Sequence, residues 1–327
     1  MSKFVDLVLN TPNRLAMPIG VYAGLEMTGA TVRQAVSDPS AQSEAVLALN
    51  EHFHTSLMLT AMDLSAESET FGCEIRMSDE EIPTVIGRRV TTAAEIEALP
   101  TPKAGDLRTA VHLETARRLV ASGKAPVLGG LIGPFSLAGR IFGVSEALEA
   151  TLTEPDLILS LLEKVTDFLV GYTRAFRETG AIGVIMAEPA AGLLSPRGLA
   201  CFSAPFVKRI FSEVQTDDFS GVLHNCGAKI VHFPKILESG ASLYHFGAPM
   251  DILTALQQTE GQVILAGNLD PSAVFRAGTP ETIYAQTSAL AKAAKPYRNF
   301  ILSSGCDLPP GTPVRNLEAF YQAVKDS

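Results

Sequence analysis

Gly221-Val222-Leu223-His224-Asn225-Cys226-Gly227 is a short apolar run that ends in an imidazole and a thiol. A buried strand whose polar side chains gather at its end, followed by a helical stretch, is the repeating unit of a parallel α/β fold. The unit recurs along the chain. Apolar runs end near residues 22, 63, 132, 187, 223, 246, 266 and 302. They include Pro18–Tyr22, Leu57–Met62, Val127–Ile132, Ile182–Ala187, Leu243–Phe246, Val263–Leu265 and Phe300–Leu302. Helical patterns lie between most of them: Thr31–Ala61 with a break at Ser37-Asp38-Pro39, Gly105–Gly123, Glu146–Gly180 with a second start at Thr153-Glu154-Pro155-Asp156, Ala204–Gln215, Ile230–Ser239, Ile252–Thr259, Thr279–Ala294 and Asn316–Lys325. Eight such units in 327 residues favour a closed (β/α)8 TIM barrel over an open doubly wound sheet. No G-x-G-x-x-G follows the first run, which weakens a dinucleotide-binding reading. Gly72–Val90 has a different, alternating texture around an acidic turn and reads as a small β-hairpin insertion. No linker or low-complexity segment interrupts the pattern, so residues 1–327 read as one barrel domain.

Hydrophobic residues make up 46% of the chain and charged residues 19%, enough for a large core and too apolar for disorder. The net charge of −9, with no long basic run, argues against nucleic acid or an anionic membrane surface as the main partner. The longest nearly uncharged run, Ala125–Gly139, is broken by Pro126 and Pro134 and is too short to span a bilayer. Met1–Asn10 carries Lys3 and Asp6 and reads as no signal peptide. A cytoplasmic, reduced protein is the expectation. In that compartment, clustered cysteines point to metal binding or catalysis rather than disulfides.

His224 and Cys226 lie two residues apart, and on an extended chain such residues face the same side. Ser303-Ser304-Gly305-Cys306-Asp307 brings a second thiol to the end of another apolar run. Two thiolates and an imidazole suit Zn²⁺ better than Mg²⁺ or Ca²⁺, and three protein ligands leave the open position of a catalytic zinc. Buried cysteines acting as small hydrophobes are the alternative. In a barrel the chemistry sits at the C-terminal strand ends. The residues placed there are Asp63, Gly133-Pro134, Glu188, His224, Cys226, His245, Asn268, Asp270, Cys306 and Asp307. Asp63 and Glu188 are the candidate catalytic carboxylates, each either a fourth metal ligand or a proton acceptor. Asn268 and His245 are placed as cofactor-facing groups, although a lone histidine also serves structure. Asp270 before Pro271 reads as a helix N-cap. Cys73 and Cys201 read as packing residues.

Gly133-Pro134-Phe135-Ser136-Leu137-Ala138, Gly267-Asn268-Leu269-Asp270-Pro271 and the ending Gly305-Cys306-Asp307-Leu308-Pro309-Pro310-Gly311-Thr312-Pro313 resemble the uroporphyrinogen decarboxylase superfamily over nearly the whole chain. The decarboxylases carry an Arg-Gln-Ala-Gly-Arg segment that binds substrate carboxylates. Here the matching region is Ile19-Gly20-Val21-Tyr22-Ala23-Gly24-Leu25, with neither arginine. The H-x-C…C pattern is instead similar to that of the methylcobalamin:coenzyme M methyltransferase branch, mapped onto His224, Cys226 and Cys306. The resemblance implies a zinc-held thiolate that attacks the methyl group of a methyl-Co(III) corrinoid. It implies two partners: a separate corrinoid protein and a small thiol acceptor such as coenzyme M. Arg14, Arg76, Arg140 and Arg197 are candidates for the acceptor's sulfonate. A tetrapyrrole decarboxylase and a non-catalytic corrinoid-binding barrel are the competing readings.

Overall fold

The computed structural model describes residues 2–327 apart from 12, 13, 260 and 262. Among these residues the strands are β1 (Met58–Leu59), β2 (Glu74–Arg76), β3 (Thr84–Ile86), β4 (Val127–Ile132), β5 (Gly183–Ala187), β6 (Ser220–Asn225), β7 (Leu243–Phe246), β8 (Ile264–Leu269) and β9 (Phe300–Ser304). The pair β2/β3 is the expected antiparallel hairpin, with Ile75 opposite Val85. The other strands form one curled parallel sheet in the order β1-β4-β5-β6-β7-β8-β9. Every residue of β4, β5 and β6 is buried, because helices cover the outer face and side chains fill the inner one. Glycines let the helices lie close. A Cβ on Gly129 would stand 2.3 Å from the Phe176 ring, and one on Gly221 2.5 Å from the Phe211 ring. Phe176 and Phe211 belong to the helices Pro155–Glu178 and Ala204–Val214.

The barrel is realised with seven strands rather than eight. The expected first strand, Pro18–Tyr22, does not form. Ala16 makes a single parallel bridge to Leu302, and Val21–Gly24 is a 3₁₀ turn. Pro18 has no N–H and cannot carry a ladder onward. The segment nevertheless lies along β9 at the eighth place. Met17 N–H donates to the Leu302 carbonyl at 2.9 Å, and Leu308 N–H donates to the Ile19 carbonyl at 2.7 Å. The second strand is shorter than its apolar run because side chains intercept its ladder. The Thr60 hydroxyl accepts from Gly130 N–H at 2.8 Å, and Gln42 Oε1 accepts from Ala61 N–H at 3.0 Å.

The breaks between helices fall where the capping chemistry places them. Asp38 accepts from Ser40 N–H at 2.8 Å and opens Pro39–Phe53. The long pattern after Glu146 divides at Glu154 into Val144–Thr153 and Pro155–Glu178, with proline in the first turn of the second. Two helices were not legible as such, Pro134–Phe142 and Pro196–Phe202. Both are short, begin with proline and follow directly on a strand end or loop, so periodicity had little length to act on. No helix among the described residues is long and apolar enough to cross a membrane.

Candidate metal centre

His224 lies in β6 and Cys226 in the turn that follows it, while Cys306 follows the end of β9. Their ligand atoms all lie within 4.8 Å of one another, and they are the metal-capable group among the described residues. His224 is 1% exposed, and its Nε2 is buried with no hydrogen-bond partner in the protein. Cys226 and Cys306 are free thiols and half-buried. The Cys226 thiol is held well below its ordinary range, first by the hydrogen bond it accepts from Cys306 and then by His224. Cys306 is displaced upward, because it is the donor to Cys226 and is also buried. One thiolate therefore forms readily in this pair, and the neighbouring S–H points into it.

The turn that carries Cys226 is held by close backbone packing. A Cβ on Gly247 would sit 2.1 Å from the Cys226 carbonyl oxygen, and one on Gly305 would sit 2.8 Å from Ala248 N. Backbone at such distances does not yield as a flexible side chain does. Gly247→Ala is expected to displace the Cys226 turn, to cost about 1–3 kcal/mol of stability and to weaken metal uptake. Urea unfolding and a zinc titration on the same variant check both effects. Wild-type values in both would remove the steric argument.

His245 pairs with His224 in the β6–β7 register, and the two rings meet edge to face with centroids 4.6 Å apart. Their Nδ1 atoms are 2.8 Å apart. His245 Nε2 lies 2.8 Å from Ser303 Oγ, which in turn donates to the Met17 carbonyl. His245 is 0% exposed. Burial, and then the charge of His224, depress its basicity far below that of a free imidazole. The expected cofactor-facing role does not match this placement: both ring nitrogens are taken by protein groups behind the metal-capable trio. Asn268 likewise spends its amide on structure. Its Nδ2 donates to the carbonyls of Gly247 at 3.1 Å and Met250 at 2.7 Å, tying the loop after β7 to β8.

Neither carboxylate singled out from the sequence joins the trio. Glu188 is fully buried and holds the start of the helix Pro134–Phe142. Its oxygens accept from Phe135 N–H at 2.8 Å, Ser136 N–H at 3.0 Å and the Ser136 hydroxyl at 2.7 Å. Burial raises it to about 7, against the opposing pull of those donors. A Cβ on Gly133 would lie 2.2 Å from Glu188 Cγ, which explains the glycine before Pro134. Asp63 is ion-paired with Arg108 Nη1 and accepts from Ser65 N–H at 3.0 Å and the Ser65 hydroxyl at 2.6 Å. Asp270 is the expected cap, accepting from Ser272 N–H at 2.8 Å and Ala273 N–H at 2.7 Å. Of the four arginines, Arg14 is spent on the carbonyls of Ala294, Tyr297 and Phe300. Arg140 is half-buried on the helix that follows β4, and the charges of Asp63 and Glu67 act on it.

Several buried polar groups in this region carried no sequence signal. Tyr22, Glu67, Tyr172 and Asp307 each keep at least one buried oxygen without a protein partner. They sit within apolar or loop stretches, and only folding brings them around Asp63, whose charge acts on Tyr22, Tyr172 and Glu67. Glu67 Oε1 accepts from Ile132 N–H at 3.0 Å, and burial raises its carboxyl from 4.5 to about 8. Between those values the folded chain holds a proton that the unfolded chain has lost. The stability linked to Glu67 is therefore complete below about 4.5, falls as pH rises toward 8 and levels off above it. Glu67→Gln keeps the acceptor and removes the titration. It is expected to be the more stable protein at pH 8 by up to about 4 kcal/mol, with little difference at pH 4.5. Urea midpoints of the two proteins across that range check the slope, and parallel curves would contradict it.

A model of the family described as uroporphyrinogen decarboxylase (URO-D) matches residues 8–327. The chain belongs to the URO-D family. Within the family, it is 30% identical over 320 residues to a methylcobamide:CoM methyltransferase MtbA of Methanosarcina mazei, covering 94% of this chain and 90% of that one. It is 31% identical over 315 residues to the protein of the same name from Methanosarcina acetivorans, covering 92% and 89%. A uroporphyrinogen decarboxylase of a Synechococcus strain is 25% identical over 316 residues, covering 93% and 88%. Among solved structures, a methyltransferase from Methanosarcina mazei superposes with a TM-score of 0.88 at 21% identity, covering 98% of this chain and 96% of that one. That likeness establishes the URO-D-type barrel.

Proposed function

We propose that this protein is a corrinoid-dependent methyltransferase that moves a methyl group from a methylated corrinoid to a small thiol such as coenzyme M, with zinc held by His224, Cys226 and Cys306. The observation that carries the reading is the trio itself: two sulfurs and one nitrogen within 4.8 Å, with the His224 Nε2 lone pair buried and unpartnered. A lone pair left bare in a protein interior costs free energy unless something occupies it. Two thiolates and an imidazole are the donor set that zinc accepts, and a three-residue set leaves room for the substrate sulfur. Zinc bound there supplies the Lewis acidity that lowers the pKa of an incoming thiol.

The chain's own residues hold and orient. Cys226 and Cys306 bring the negative charge that retains the ion, and His224 brings a neutral third donor. Arg140, half-buried at the rim, is assigned to the acid group of the acceptor. In the transfer the thiolate sulfur forms a bond to the methyl carbon. The carbon–cobalt bond of the substrate breaks and its electron pair stays on cobalt. Barrel walls that line up sulfur, carbon and cobalt contribute by proximity. The absence of both arginines from Ile19–Leu25 sets this chain apart from a decarboxylase that must hold a polycarboxylate.

The test is incubation of the zinc-loaded protein with methylcobalamin and coenzyme M, following loss of methyl-Co(III) absorbance and formation of the thioether. Zinc-dependent turnover is the expected result. Zinc-loaded protein that turns over neither coenzyme M nor any other small thiol would overturn the reading.

A further inference from the structure

The hydrogen bonds behind His224 admit one direction only. The Met17 carbonyl is an acceptor, and Ser303 Oγ lies 2.5 Å from it, so the single proton of that hydroxyl is committed. Ser303 Oγ must then accept from His245 Nε2, 2.8 Å away. With its proton on Nε2, a neutral His245 has a lone pair on Nδ1. That lone pair faces His224 Nδ1 at 2.8 Å, so His224 must carry its proton on Nδ1. The remaining nitrogen, His224 Nε2, is then the one with a free lone pair, and it is the atom that is buried without a partner. Reversing the chain would leave the Met17 carbonyl without the Ser303 donor and set the proton on the nitrogen that faces the thiols.

We infer that His245 and Ser303 are positioning residues that fix His224 as its Nδ1–H tautomer and aim the Nε2 lone pair at the ion between Cys226 and Cys306. The inference rests on the metal-centre reading above. Ligating imidazoles gain basicity and a fixed ring plane when their other N–H has a fixed acceptor. The acceptor here is a second imidazole, with both rings at least 99% buried. Charge explains the choice. Two thiolates already neutralise a divalent ion, and a carboxylate behind His224 would add an uncompensated charge to a fully buried spot. The backbone register sets the pair: His224 and His245 are Cα partners across β6 and β7, and Ser303 closes the path from β9.

The experiment has two arms. In metal-free wild type labelled with [¹⁵N]histidine, long-range ¹H–¹⁵N correlations read the tautomer of each of the six histidines. His224 protonated on Nδ1 is the expected result, and His224 protonated on Nε2 would overturn the inference. In the second arm, zinc affinity is measured by chelator competition for His245→Phe and His245→Gln. The phenyl ring fills the space without an acceptor and is expected to lower affinity roughly 10–100-fold. The glutamine carbonyl can accept from His224 while its amide donates to Ser303, and it is expected to restore most of that loss. Equal affinities in the two variants would reduce His245 to packing and defeat the inference. If wild type takes up no zinc at all, the metal-centre reading fails, while the tautomer measurement still decides whether His245 sets the proton on His224.

Discussion

Cys306→Ser is expected to leave the barrel folded and the metal site empty. The residue follows the last strand in a loop and is half-buried, and serine replaces it with almost the same shape. The change is one of ligand chemistry. A serine hydroxyl stays protonated at neutral pH and is a hard donor, so two protein ligands remain where three were. Small zinc sites bind with about 10–16 kcal/mol shared among their ligands, so one thiolate is worth roughly 3–4 kcal/mol, or on the order of 10²–10³ in affinity. Cys226→Ser should behave alike and should also lose most methyl transfer. Because Cys226 is held as the more acidic thiol by the hydrogen bond from Cys306, removing either sulfur disturbs the other. Metal content after dialysis, circular dichroism and turnover of methylcobalamin with coenzyme M measure the three consequences separately. A Cys306→Ser protein that retains a full equivalent of zinc would show that the trio is not the site.

The second large effect is expected far from any ligand. Arg108 reaches three groups at once: Asp63 through Nη1, Glu69 Oε2 through Nε at 2.7 Å, and Ser65 Oγ through Nη2 at 2.9 Å. Its side chain is 10% exposed and that of Asp63 is 0% exposed. Arg108→Ala strips the counter-charge from a buried carboxylate, which costs about 3–5 kcal/mol. Removing both charges together, as Asp63→Asn with Arg108→Met, should recover most of that loss, since no uncompensated charge is left behind. Urea unfolding of the two single variants and the double variant forms the cycle. A single Arg108→Ala variant within about 1 kcal/mol of wild type would mean that water or a neighbour neutralises Asp63. Zinc uptake is expected to be unchanged in the double variant, because Asp63 lies outside the metal-capable group.

Much of this protein was legible from local pattern. Strands β4 to β7 and β9 are buried on both faces, so they appear in the sequence as unbroken apolar runs that no helix of the chain imitates. His224, Cys226 and Cys306 were legible because two of them sit at the period of a strand and all three follow such runs. The first run misled because Pro18 interrupts the ladder that Ala16 and Met17 begin. Asp63 and Glu188 were correctly placed at strand ends, but position at a strand end does not say which donors will surround a carboxylate. For Glu188 these are the first N–H groups of a helix, and for Asp63 they are a guanidinium and a serine.

The sequence by itself determined the class of fold and the three soft donors, since both depend on side-chain period and element chemistry along a single run. The tertiary structure alone decided what stands behind those donors. His245 is a partner of His224 only because β7 lies beside β6 in one register, and Ser303 reaches His245 only because the sheet curls to bring β9 near. Hydrogen-bond direction belongs to groups that meet across such registers. It is set by the one member that cannot reverse, here the Met17 carbonyl, in a segment that the apolar pattern had assigned to the start of a strand.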